Sequence, residues 1–363
     1  RFGVPDPVST IDLEVEIESE LAVPSSEDLT IYSIAVDEHL GTLAIAGTSI
    51  DVANGDTGHI ALLPFELKRA QQVPGAFPRE PDAQANVPGR VSIDPVRGAA
   101  WYLDNAAGAT HVTASGRRLV SNAFPESGIG IGPFATLDGG AVTVYGDQFD
   151  PTPAGVVFVT STGSAVSEAT FSQWFHQSFA SAGNERGICA VGNSAVDFFD
   201  PSGSPVRIDP VAGTKIEYSS YVWDRFHVNA AAVSSDGATC WFAKDLPSNR
   251  IVTVTGPSSV SESAALASAT VALASDPRTG GGVWRADASG TISRFSGGSG
   301  SFVAADTPIT ALAVERICDD PAVAACVRIW HAASGVVVLS RTDGVVLQKF
   351  PVQGEVYEIA VAH

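Results

Sequence analysis

Residues 231–263 read AAVSSDGATCWFAKDLPSNRIVTVTGPSSVSES. Ala231-Ala232-Val233 is a short run of small apolar residues, and Ser235-Asp236-Gly237 follows it. An Asp-Gly pair between apolar runs marks a tight hairpin, because glycine supplies the positive φ that such a turn requires. Three more runs come next: Cys240-Trp241-Phe242-Ala243, then Arg250 to Thr255, then Ser259 to Ser263. Each is rich in β-branched or aromatic residues and bounded by Ser, Pro, Asn or Gly, which is the strand signature. The stretch therefore reads as four short strands in succession.

The unit recurs. A small-apolar strand ending in an acidic or polar turn is found at Ile34-Ala35-Val36-Asp37, Val91-Ser92-Ile93-Asp94, Ala135-Thr136-Leu137-Asp138 and Phe179-Ala180-Ser181-Ala182. It returns at Leu273-Ala274-Ser275-Asp276 and Ala311-Leu312-Ala313-Val314, and a last copy is Ile359-Ala360-Val361. Successive copies are 40 to 57 residues apart. Four strands per ~40–50 residues is the blade of a β-propeller. Small side chains suit the first strand of each blade, since those strands crowd around a central channel. Trp101, Trp241, Trp284 and Trp330 fall on second strands, where large rings fill the wedge between blades. Long helical periodicity is missing.

The fold expected is all-β, a single β-propeller over residues 1–363 with seven blades of four antiparallel strands. The eighth copy leaves eight blades, one partial, as the alternative. In the seven-bladed reading, the segment from Ile11 to Ile17 pairs with the C-terminal strands and seals the ring, which removes an open sheet edge. Gly128-Ile129-Gly130-Ile131-Gly132 reads as the glycine-rich start of a strand rather than a phosphate loop, since no helix follows it. The repeat resembles the superfamily of secreted bacterial propellers that includes the YVTN, NHL and gluconolactonase-like groups. That resemblance covers nearly the whole chain and implies a fold.

Composition narrows the classes of partner. The chain has 363 residues, 45% hydrophobic and 17% charged, with 40 Asp and Glu against 21 Lys and Arg and a net charge of −19. Phosphate backbones gain no counterion release from such a surface, and no Lys/Arg cluster interrupts it, so nucleic acid is excluded as a partner. No apolar run reaches the ~18 residues of a membrane span. The expected partners are a small molecule, a carbohydrate or a protein at one face of a monomer. The chain starts at Arg1 and contains no Met, which fits a removed secretory leader. With four Cys and no Asn-x-Ser/Thr acceptor, a secreted or periplasmic bacterial protein is expected.

Cys318 and Cys326 flank seven residues, a spacing suited to a disulfide that closes a loop between two strands. Cys189 and Cys240 stand seven residues after Ala182 and Val233, at matching places in adjacent blades. Equivalent positions of neighbouring blades usually lie too far apart to bond, so two buried free thiols are the first expectation there, with a disulfide as the alternative.

Catalytic motifs such as His-Glu-x-x-His, Gly-x-Ser-x-Gly and the P-loop are missing from the sequence, and no organic cofactor is indicated. The candidate site is a constellation. His176 lies six residues before Ala182, His227 six before Val233 and Glu355 six before Val361, all ahead of a first strand. At the mouth of a channel, two imidazoles and a carboxylate suit a divalent metal such as Ca, Mg or Zn, or a general base. Trp174 and Trp223 precede the two histidines and offer flat surfaces for a ligand, with Asp224 and Arg225 supplying charge. Binding at the channel mouth is the first reading. The second is a metal-assisted hydrolase or lyase of the lactonase or streptogramin-lyase kind with His176, His227 and Glu355 as its centre. A surface scaffold is the third.

Overall fold

The computed structural model describes residues 29–37, 42–51, 55–64, 91–104, 108–112, 118–120, 128–136, 138–147, 155–162, 165–170, 181–184, 186–193, 203–218, 228–245, 248–256, 258–278, 281–317, 326–351, 356 and 358–361. They form seven sheets of four strands each. Six sheets follow chain order from an innermost first strand: Val91–Ile93 in blade 2, Gly128–Ala135 in blade 3 and Ser181–Asn184 in blade 4. Val228–Val233 opens blade 5, Thr270–Ser275 blade 6 and Ala311–Arg316 blade 7. Each first strand packs against the next one around the ring.

Blade 1 differs. Its strands, in spatial order, are Glu358–Val361, Leu29–Asp37, Thr42–Asp51 and Gly55–Pro64. The last strand of the chain lies parallel to Leu29–Asp37, with Ile34, Ala35 and Val36 opposite Ile359, Ala360 and Val361. All other strand pairs among the described residues are antiparallel. The eight first-strand copies therefore fit seven blades because two of them share one blade. The segment 11–17, expected to close the ring, lies outside the described residues; the strand that meets the last one is Leu29–Asp37.

Alternation along each strand gives every blade two apolar faces. In blade 4, Ile188, Ala190, Val206 and Ile208 pack on Phe134, Val142 and Phe158 of blade 3. Cys189, on the other face, joins Cys240, Phe242, Val252 and Val254 of blade 5. Trp241, Ala243 and Ile251 of blade 5 turn the opposite way, toward Leu273 and Val283 of blade 6. Strand Val327–Ala333 of blade 7 is buried at every position for this reason. The four second-strand tryptophans are all buried. Gly128–Ala135 is a strand, as its glycine-rich start suggested.

Candidate functional site

Antiparallel order places the turn between the first and second strands of each blade at one end of the ring. The connections into each first strand lie at the other end. The turn end is filled by its own side chains. Asp94, at the end of the first strand of blade 2, is fully buried and accepts hydrogen bonds from the backbone N–H of Val96 at 2.7 Å and of Arg97 at 3.2 Å. His111 Nε2 lies 3.1 Å from Asp94 Oδ2, at ion-pair distance but off the line of a straight hydrogen bond. The His111 ring stacks on Trp101 with centroids 4.3 Å apart. Trp101 Nε1 donates to the Gly139 carbonyl of blade 3 at 3.2 Å. Burial opposes the charge on Asp94, yet the His111 contact and the two backbone donors outweigh it and hold the carboxyl below its ordinary range.

Related acid–tryptophan pairs recur in blades 6 and 7. Trp284 Nε1 donates to Asp276 Oδ2 at 3.4 Å, and the Arg278 and Arg294 guanidiniums both reach that carboxylate. Trp330 Nε1 donates to Glu315 Oε2 at 2.9 Å, with Arg328 Nε 3.1 Å away from the same oxygen. Between blades 4 and 5 the clasp is a side-chain amide and a glycine contact: Asn184 Nδ2 donates to the Ser234 carbonyl at 2.9 Å, and the Gly187 backbone meets that of Gly237 with no room for a Cβ on either. These buried carboxylates take their donors from their own blades and brace the turn that follows each first strand, whereas the Trp101–Gly139 bond crosses from blade 2 to blade 3. The sequence signal for them was an acid ending a first strand followed by Trp on the second. His111 carried no such signal, since it lies on a third strand.

His331, on the second strand of blade 7, is a different case. It is buried on the face shared with blade 6, and neither ring nitrogen has a hydrogen-bond partner. Burial, with a smaller effect of the Lys349 ammonium, lowers its pKa from 6.5 to about 4.

Cys189 and Cys240 form a disulfide with their Cα atoms 5.8 Å apart. The expectation of free thiols is corrected. Second strands sit near enough to the axis, where blades converge, to bring matching positions within bonding reach. Tyr218 Oη donates to the Gly256 carbonyl and ties the same two blades farther out. Cys326 is also disulfide-bonded, while Cys318, its expected partner, lies outside the described residues.

Trp174, His176, Trp223, Asp224, Arg225, His227 and Glu355 lie outside the described residues as well. The strands around them fix which connection carries each. Trp174 and His176 belong to residues 171–180, which lead into blade 4; Trp223 to His227 belong to 218–227, which lead into blade 5. Glu355 belongs to 352–357, which lead into blade 1, three blades from either histidine around the ring. Among the described residues no group of three His, Cys, Asp or Glu is placed to hold a metal ion. No helix among them is long and apolar enough to cross a membrane.

Solved structures resemble the chain at low identity. Sqt1 of Saccharomyces cerevisiae aligns with a TM-score of 0.51 and 10% identity, over 96% of this chain and 100% of that one. Sqt1 of Chaetomium thermophilum, bound to the N-terminus of the ribosomal protein L10, aligns with a TM-score of 0.53 and 13% identity, over 89% and 87%. The fold is a seven-bladed β-propeller. The C-terminal WD40 domain of Sif2 also aligns, with a TM-score of 0.49 and 14% identity, over 73% of the propeller and 72% of that chain. No protein-family model matches the sequence, and no curated protein matches it.

Proposed function

We propose that this propeller is a binding module that takes a protein or small ligand at the end of the ring where the chain enters its first strands, over blades 3 to 5. The carrying observation is where chain length has been spent. At that end, the within-blade connections 148–154 and 194–202 of blades 3 and 4 outrun 288–290 and 334–335 of blades 6 and 7, and 171–180 and 218–227, which lead into blades 4 and 5, outrun 263–269 and 304–310, which lead into blades 6 and 7; the longest connection there, 65–90, leads into blade 2. Long connections on a rigid scaffold are where binding residues concentrate. Two of these connections carry Trp174 and His176, and Trp223, Asp224, Arg225 and His227. The scaffold under them is the blade pair joined by the Cys189–Cys240 disulfide. At the opposite end, among the described residues, turns are clasped to each other between blades 2 and 3 and between blades 4 and 5.

A protein partner is favoured by the fungal Sqt1 of similar fold, which holds the N-terminus of a ribosomal protein. The disulfides at Cys189–Cys240 and at Cys326 support an oxidising, extracytoplasmic setting, as in the secreted bacterial propellers that the repeat resembles. A divalent metal is proposed only for His176 and His227, which lead into adjacent blades.

The test selects binders from a random peptide library on the intact protein and measures them against W174A, H176A, W223A, R225A and H227A. Loss of tenfold or more in affinity in at least two variants with unchanged melting supports the reading. Binders that ignore all five substitutions refute it. Elemental analysis of H176A/H227A against the unaltered chain reports on the metal separately.

A further inference from the structure

Blade 1 holds two first strands where the other blades hold one. Ile359-Ala360-Val361 repeats Ile34-Ala35-Val36 residue for residue, and the two triplets face each other in parallel register. The last strand is attached through four paired positions, Ser33 with Glu358 to Val36 with Val361. Its other edge faces the channel, with no strand among the described residues hydrogen-bonded to it. Leu29–Asp37, by contrast, stays paired along its length with Thr42–Asp51 whatever happens at the inner position. Parallel pairing is slightly less stable per residue than antiparallel pairing. The inner position also asks for little in side-chain shape. Ala360 packs beside Ala35, Ala44, Val91, Ile93 and Ala100, a cluster of small and β-branched residues, and Ile359 is buried beside it in the chain.

We propose that the inner position of blade 1 is an exchange site for an extended strand, with Glu358–Val361 as its resident occupant and the same segment of a second copy able to replace it. When the resident strand leaves, Leu29–Asp37 is already a first strand by sequence and still contacts blade 2 directly, while the contact with blade 7 is made by Glu358–Val361 and returns with the incoming strand. Recognition is main-chain pairing parallel to Leu29–Asp37, with an Ile-Ala-Val pattern selecting the occupant.

The experiment adds a fluorescent peptide of residues 356–363 to the intact protein and follows anisotropy, with hydrogen exchange of the intact protein in parallel. The expected result is saturable uptake, lost in a peptide carrying I359D, and absent from a protein whose A35C and A360C substitutions lock the resident strand by a disulfide. Amides of 358–361 are expected to exchange at least ~10-fold faster than those of Ala311–Arg316, the resident first strand of blade 7. Amides at 358–361 as protected as Ala311–Arg316, together with no uptake, overturn the proposal. Uptake that persists in the locked protein overturns it too, because the peptide then binds elsewhere.

Discussion

Replacing both Cys189 and Cys240 with alanine removes the disulfide cross-link between blades 4 and 5. The two cysteines are 51 residues apart in sequence. Closing a loop of that size in the unfolded chain removes conformational entropy equivalent to about 4 kcal/mol at 25 °C in the chain-entropy treatment. Alanine leaves a small void but no buried polar group, so the native state keeps Val233, Phe242 and Val252 packed as they are. The double variant should then unfold at a lower urea midpoint with nearly the same dependence on denaturant, and the unaltered protein should unfold between the same folded state and a more restricted chain. Equilibrium unfolding followed by tryptophan fluorescence measures this. A loss of about 3–5 kcal/mol agrees with the reasoning. A loss under ~1 kcal/mol refutes it, because the cross-link would then be constraining nothing that folding had not already ordered.

Three further outcomes are expected. Because the folded pKa of His331 is about 4 and its ordinary value 6.5, the unfolded chain binds its proton first as pH falls; stability present above 6.5 is lost down to 4, about 3 kcal/mol in all. H331L should flatten unfolding free energy measured between pH 6.5 and 4.5, and an unchanged slope counts against the assignment. Asp94→Ala leaves the Val96 and Arg97 N–H groups without their acceptor and removes the carboxylate beside the buried His111 ring, and should cost ~3 kcal/mol by urea unfolding; a cost near zero shows the cluster to be hydrated. Gly237 has φ +71° and its missing Cβ would stand 2.2 Å from the Arg186 carbonyl oxygen. G237A should therefore lower the melting temperature far more than G213A, whose glycine also has positive φ but open space around it.

Much of the ring was legible because its strands alternate between two buried faces and its turns need particular residues. Ala231-Ala232-Val233 and Ser235-Asp236-Gly237 named a hairpin, and the strand Val228–Val233 turns there, with Gly237 at positive φ. The seven-or-eight ambiguity lay in Ile359-Ala360-Val361. Nothing local says that a repeat copy will lie beside another copy in parallel, since that depends on where two distant segments meet. Cys189 and Cys240 sat at matching offsets in plain view, but bonding depends on how close neighbouring second strands come, which is a property of ring radius. His111 was opaque for the same reason. Its partners Asp94 and Trp101 are contributed by other strands of the sheet, and only the register of Trp101 opposite His111 brings them together.

The two-faced blade has a consequence for how the molecule comes apart. In an open stack of repeats, an end unit can fray while its neighbours stay whole, because it shares a single interface. Here every blade shares two, and Cys189 and Ile188, one residue apart, serve opposite neighbours. Melting any blade strips an apolar wall from both sides at once, so there is no cheap first step. Fragments of three or four blades should be lost to proteases or aggregation rather than persist, and the smallest inheritable unit of this architecture is the whole circle.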